Sequence, residues 1–306
     1  MTISTPAATP SSYRVAVLGL GAMGLPMATR LASELTVHGF DIAPARLALA
    51  ADAGITPFDS ARGAAEGVNA VLLAVRNGQQ LREVLFGDAG IADVLMPGAV
   101  VIMTSTVGID DVVSVAGRLA ESGVQLVDAP LSGGPVRAGL GDLLIVVGAE
   151  PSAREQARPV LDLLASTLSV IGDKAGDGQA FKTVNQLLCG VHIAVAAEAL
   201  ALAEALGLNV ESTLATLSAG AAGSFMLANR GPRMLDAYTE DGAEVLSRLD
   251  IFVKDMGIVT AAARGFGLAT PVAAAAEQVY LLGQAGGLAA HDDSAVIRVI
   301  APRAAV

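Results

Sequence analysis

The chain has no tryptophan, one cysteine, three histidines and only 3% aromatic residues among its 306 positions. A single cysteine, Cys189, excludes an internal disulfide framework and any thiolate-rich zinc site. The histidines, His38, His192 and His291, are scattered, so no metal centre is expected. Basic residues are also scarce: 19 Lys and Arg stand against 30 Asp and Glu, a formal net charge of −11. So acidic a surface repels phosphate backbones and anionic membranes, and neither nucleic acid nor a membrane is expected as a partner. Met1 to Ser12 holds no basic residue and no apolar core, which argues against a signal or transit peptide. It reads as a short disordered tail, 1–12. The most apolar internal stretch, Leu187 to Ala197, is too short to span a bilayer and runs into Glu198 and Glu204. A soluble, cytoplasmic protein is expected.

What the chain does have is 53% hydrophobic residues and the length for two domains. Its first half alternates short β-branched runs with helical patterns. Arg14 to Leu18, Leu35 to Phe40, Ala70 to Val75, Val100 to Met103 and Val124 to Val127 read as strands. A helix is expected from about Ala22 to Ser33. Apolar runs alternating with helices imply a mostly parallel sheet buried on both faces. Leu143 to Val147 and Leu168 to Ile171 extend that sheet at an edge. From Gln179 the pattern turns helical. One segment, 179–206, stops at Gly207, a fitting C-terminal cap. At 1.5 Å per residue it is roughly 42 Å long. Further helices are expected from Val210, from Gly231, over Ala243 to Arg264, from Pro271 and from Ser294. The reading is an α/β domain over 13–175 and an all-α domain over 176–306, joined by the long helix.

The strongest local motif is Gly19-Leu20-Gly21-Ala22-Met23-Gly24, after the first strand and opening the first helix. Glycines serve there for the tight turn, the approach of a pyrophosphate and helix–strand packing. The helix N-terminus adds amides and partial positive charge. Asp41 ends the second strand, where a carboxylate accepts hydrogen bonds from a ribose 2′-hydroxyl. With strand, turn, helix and acid in place, this is a Rossmann-type site. Because Asp41 repels a 2′-phosphate, it favours NAD over NADP, and Arg46 reads as a solvated helix residue.

Two further segments carry polar groups. Asp128-Ala-Pro-Leu-Ser132-Gly133-Gly134-Pro135 follows a strand. It reads either as a strand-ending turn or as an anion-binding nest for a carboxylate. Lys182, Asn185 and Gln186 lie at i, i+3 and i+4 near the start of the long helix and share a face. Lys182 reads as solvated or as a proton-transfer group at a nicotinamide crevice. Cys189 and His192, on the apolar stretch, read as core, and His291 to Asp293 as a helix cap. No Ser, His and Asp spacing suggests a nucleophilic triad.

Together these residues resemble the β-hydroxyacid dehydrogenase family, which includes 3-hydroxyisobutyrate dehydrogenase and tartronate semialdehyde reductase. The resemblance runs from about Tyr13 to Arg298. It implies that Gly19 to Ala28 is the cofactor signature, Asp128 to Gly134 the substrate motif, and Gly178 to Gln186 the catalytic motif with Lys182 as acid/base. Ser132, Gly133, Gly134 and Asn185 are then expected to hold a substrate carboxylate, with Phe225 also on the substrate side. Val75, Arg76, Thr106 and Lys254 are expected on the cofactor side. Gln186 to Ala194, Asp250 to Asp255 and Asp292 to Ile297 resemble a branch of the family that acts on sugar acids. Arg137, where simpler members often have glycine, suits a longer polyhydroxy substrate. The implied activity is NAD-dependent interconversion of a small hydroxy acid and its oxo acid, in a homodimer or homotetramer. A non-catalytic dinucleotide-binding module is the rival from another class; Lys182 argues against it.

Overall fold

The computed structural model describes residues 13–303; the expected N-terminal tail lies outside the described residues. Arg14–Leu18 forms β1, whose side chains alternate between two cores. Val15 and Val17 enter one, Ala16 and Leu18 the other. Because both faces are covered, the run is apolar throughout. β2 (Thr36–Phe40), β3 (Thr56–Pro57), β4 (Ala70–Leu73), β5 (Val100–Met103) and β6 (Gln125–Asp128) join it in the order β3-β2-β1-β4-β5-β6. All these pairs are parallel. Their connections carry α1 (Gly24–Ala32), α2 (Pro44–Asp52), α3 (Ala61–Ala65), α4 (Gly78–Phe86) and α5 (Ile109–Ala120). The strand order reverses between β1 and β4, and open parallel sheets bind ligands at the carboxyl ends of such a pair.

Beyond β6 come β7 (Leu131–Ser132), α6 (Gly134–Leu140), β8 (Leu143–Gly148), α7 (Pro151–Leu164) and β9 (Ala165–Gly172). β8 runs antiparallel to β6 and β7, and β9 pairs parallel with β8 at the sheet's edge. Both expected edge strands are present, β9 starting earlier than expected.

The chain divides into two compact units, one reaching Lys182 and one starting at Thr183. α8 (Asp177–Ala205) begins in the first and continues into the second, and matches the expected long helix closely. The second unit adds α9 (Val210–Ala219), α10 (Phe225–Asp236), α11 (Leu249–Gly265), α12 (Pro271–Ala285), a 3-10 turn over Asp293–Val296, and α13 (Ile297–Ile300). By length and composition α8 is apolar enough to cross a membrane. Here Ile193, Ala196, Ala197 and Leu200 are buried with Phe252, Met256 and Tyr280 in the second unit's helical core.

Two helix starts differ from expectation. α10 begins at Phe225 rather than Gly231, because Ser224 caps it: its Oγ accepts from the Leu227 amide at 3.0 Å. α11 begins at Leu249 rather than Ala243. The Leu246 and Ser247 amides donate to Asp292 Oδ2, and the Leu249 amide to the His291 carbonyl. Backbone donors committed to another segment cannot close a helix. Asp292 also caps the 3-10 turn through the Ser294 amide, as the sequence suggests, and is paired with Arg233 at 2.9 Å.

Candidate active site

The three glycines after β1 have different reasons to be there. Gly19 has φ +96°, and a Cβ on it would lie 2.4 Å from the Ala74 carbonyl oxygen. On Gly24 a Cβ would lie 1.7 Å from the Gly19 oxygen. Both are therefore imposed by close packing of β1, β4 and α1. Gly21 has nothing within 4 Å of its would-be Cβ. It keeps a space open beside the start of α1, and no side chain caps that helix at Met23. An open glycine beside an uncapped helix N-terminus fits a dinucleotide pyrophosphate.

Asp41, just past β2, reaches across to this loop. Its Oδ2 accepts from the Leu20 amide at 2.7 Å, and its Oδ1 from the Ala43 amide at 2.8 Å. The carboxylate is thereby held beside the glycine turn, where a ribose would lie. Val75 and Arg76 follow Ala74 at the carboxyl end of β4; the Arg76 amide donates to Gln80 Oε1 at 2.9 Å. Gly19, Leu20, Gly21, Ala22, Met23, Gly24 and Asp41 thus form one loop cluster.

A second cluster of the first unit centres on Lys182, which is only 9% exposed. Its ammonium donates to the Leu131 carbonyl at 2.9 Å and to Ser132 Oγ at 3.1 Å. Gly133 and Gly134 both have positive φ, +146° and +76°, so the chain turns after Ser132 in a way that requires glycine. A Cβ on Gly133 would also meet Leu143 at 2.9 Å. Of the two readings of Asp128 to Pro135, the observed turn joins the hydroxyl and glycines to the lysine. Arg137 lies on α6, its Nε donating to Asp142 Oδ2 at 2.9 Å, and is half exposed. The Arg137 guanidinium holds the Asp142 carboxyl below the usual carboxylate range.

The first residue of the Ser132 segment is itself tied to the start of α8, which the motif alone does not show. Asp128 is completely buried at the end of β6. Its Oδ2 accepts from the Gly176 and Gln179 amides at 3.0 and 2.8 Å, and its Oδ1 from Gln179 Nε2 at 2.9 Å. Gln179 Nε2 also donates to the Ser105 carbonyl at 3.0 Å. Gln179 Oε1 accepts from the Val107 and Gly108 amides at 3.1 and 3.3 Å. Burial pushes the Asp128 carboxyl up to about 6, against the opposing pull of those hydrogen bonds. A carboxyl raised in the fold favours folding most when protonated, so this group's contribution falls as pH rises through about 6. Thr106 lies in the segment that Gln179 holds.

In the second unit, Asn185 Nδ2 donates to Gln186 Oε1 at 2.9 Å and to Cys189 Sγ at 3.5 Å. Gln186 Nε2 and Lys254 Nζ both donate to the buried Asp255, to Oδ2 and Oδ1, at 2.5 Å each. This row links Asn185 on α8 to Lys254 on α11. Phe225, the first residue of α10, is 70% exposed. Among the described residues no group of three or more His, Cys, Asp or Glu is arranged to hold a metal ion.

The comparisons bear on the same segments. The family model described as the NAD binding domain of 6-phosphogluconate dehydrogenase matches residues 14–172. A second, the NAD-binding domain of NADP-dependent 3-hydroxyisobutyrate dehydrogenase, matches residues 176–300. The chain is 37% identical over 292 residues to an L-threonate dehydrogenase of Pectobacterium atrosepticum, covering 94% of each. The chain belongs to the β-hydroxyacid dehydrogenase family. It is also 38% identical to an L-threonate dehydrogenase of Cupriavidus necator, covering 94% of this chain and 96% of that one. A solved 3-hydroxyisobutyrate dehydrogenase from Salmonella typhimurium has TM-score 0.86 and 35% identity, covering 94% of this chain and all of the other. The family member described here is thus an NAD-binding hydroxyacid dehydrogenase with a parallel-sheet domain followed by helices.

Proposed function

We propose that the protein is an NAD-dependent dehydrogenase of a sugar-acid-like hydroxy acid, L-threonate being the first candidate, with Lys182 as its acid/base. The observation that carries the proposal is the Lys182 ammonium at hydrogen-bond distance from Ser132 Oγ, on a glycine turn that suits a carboxylate. Ser132, Gly133 and Gly134 bind the substrate carboxylate. As the neutral amine, Lys182 Nζ takes the proton of the reacting hydroxyl, and as the ammonium it returns that proton to the alkoxide in reduction. The nicotinamide, when bound, supplies the hydride acceptor. Gly19 to Gly24, with Val75, Arg76 and Thr106, hold the dinucleotide, while Arg137 borders the substrate. Names of relatives favour L-threonate over 3-hydroxyisobutyrate in sequence identity by only a small margin, 37–38% against 35%. A panel of L-threonate, 3-hydroxyisobutyrate and glycerate with NAD and NADP, read at 340 nm, therefore decides the substrate. L-threonate is expected to give the highest kcat/KM, and a clear preference for 3-hydroxyisobutyrate would reverse the assignment.

The cofactor preference rests on Asp41, although one matching family model bears the name of an NADP-dependent enzyme. A fixed carboxylate beside the ribose repels a 2′-phosphate and accepts from a 2′-hydroxyl. Losing a hydrogen bond to a charged group costs roughly 1.5–3 kcal/mol, so Asp41→Ala is expected to weaken NADH binding about tenfold or more. NADPH should lose less. Fluorescence titration of both cofactors checks this, and a wild type that prefers NADPH would refute it.

A homo-oligomer is proposed from α8, where Val184, Leu188, Val195 and Leu202 are exposed along one face. Light scattering at several concentrations measures it. The enzyme is proposed to be cytoplasmic.

A further inference from the structure

Gln179 is almost completely buried, and its side chain joins three segments of the first unit. Through Nε2 it is bonded to Asp128, the first residue of the segment that bears Ser132, and to the Ser105 carbonyl. Through Oε1 it receives the Val107 and Gly108 amides, just past Thr106. Its own helix is α8, and Lys182 follows one turn later on the same face. Asp128 completes the arrangement by accepting from the Gly176 and Gln179 amides at the start of that helix. Gly178 permits the close approach: a Cβ there would lie 2.8 Å from the Asp128 carbonyl oxygen.

We infer that Gln179, clamped by Asp128, is a positioning residue that fixes the Lys182 ammonium relative to Ser132 and to the 104–108 segment. The inference rests on the acid/base reading of Lys182. Four side-chain hydrogen bonds leave Gln179 little freedom, and a residue bonded to both neighbouring segments sets the distance between them. Asp128 supports this in another way. Pushed up to about 6 by burial, its carboxyl is still mostly ionised at neutral pH, where its two oxygens accept from the Gly176 and Gln179 amides and from Gln179 Nε2. Geometric errors of about 1 Å at a reacting group cost on the order of 100-fold in rate.

The test compares wild type with Gln179→Met, which keeps length and volume but removes all four bonds, and with Gln179→Glu. Steady-state kcat and KM are measured with NAD and the best hydroxy acid of the panel, alongside NADH affinity and circular dichroism. Gln179→Met is expected to lower kcat by about 10- to 100-fold while NADH affinity stays within about threefold. Gln179→Glu places a second carboxyl against Asp128, the ionisable side chain it meets, and the two repel when both are ionised. When one is protonated, the new carboxyl regains a donor toward Asp128. Its kcat relative to wild type is therefore expected to rise from pH 8 to pH 6, whereas that of Gln179→Met stays flat. A wild-type kcat in Gln179→Met, or a loss confined to NADH affinity, would overturn the inference. Should Gln179→Met fail to fold, a Gln179→Glu ratio that does not change with pH would overturn it equally. An inactive wild type, or an active Lys182→Ala, would instead bring down the acid/base reading and this inference with it.

Discussion

Replacing Lys182 with alanine is expected to lower kcat for hydroxy-acid oxidation by about 10²–10⁴-fold while leaving NADH affinity nearly unchanged. The ammonium is not a free surface charge. It is held by a main-chain carbonyl of β7 and by the Ser132 hydroxyl, and Lys182 is itself buried. Its partners belong to the proposed substrate loop and not to the glycine loop after β1, which is why the effect should fall on turnover. Lys182→Arg sharpens the test. A guanidinium keeps the positive charge but does not give up its proton at accessible pH. If Lys182 transfers a proton, the arginine variant should be nearly as slow as the alanine one. If it acts only by charge, arginine should restore much of the rate. Stopped-flow reading of NADH formation separates the chemical step from product release. Turnover near wild type in Lys182→Ala would remove the lysine from the reaction.

The parallel half of the fold was legible because its strands are buried on both faces, and an uninterrupted run such as Val15 to Leu18 leaves little else for the sequence to mean. The glycine turn and Asp41 were legible for a related reason. Gly19 and Gly24 answer a local steric demand while Gly21 keeps a space open, and spacing along a strand–turn–helix unit is read directly from the sequence. The helix starts at Phe225 and Leu249 were harder. Ser224 is a short-range cap seven residues before the expected start, and the chain before Leu249 is shaped by Asp292, far away in sequence. The same distance hid the Asp128–Gln179 pair. A glutamine three residues before a lysine on one helical face is ordinary, and its meaning comes from amides at 107 and 108 and a carboxylate at 128. Arg137 shows the converse. Its residue type suggested a substrate contact, while the structure reveals a partner, Asp142, that spacing alone did not suggest.

Gly21→Val and Gly24→Ala are expected to fail in opposite ways, although both change the same six-residue motif. A Cβ on Gly24 would lie 1.7 Å from the Gly19 oxygen, an overlap that only backbone movement relieves. Forcing added atoms into close packing typically costs about 1–3 kcal/mol, so Gly24→Ala should unfold at a clearly lower urea concentration. Gly21 meets nothing within 4 Å, so the valine variant should fold and melt like wild type. Its side chain would occupy the space beside the α1 N-terminus instead. A dinucleotide kept from those amides loses charge-assisted hydrogen bonds worth roughly 1.5–3 kcal/mol each. Two such losses correspond to at least about 100-fold in affinity. Isothermal titration with NADH and urea unfolding of both variants read the two effects separately. A Gly21→Val protein that binds NADH like wild type would mean that the phosphates do not approach this turn. The open space at Gly21 would then need another explanation, and the assignment of the loop to the cofactor would fall even though the fold around it stands.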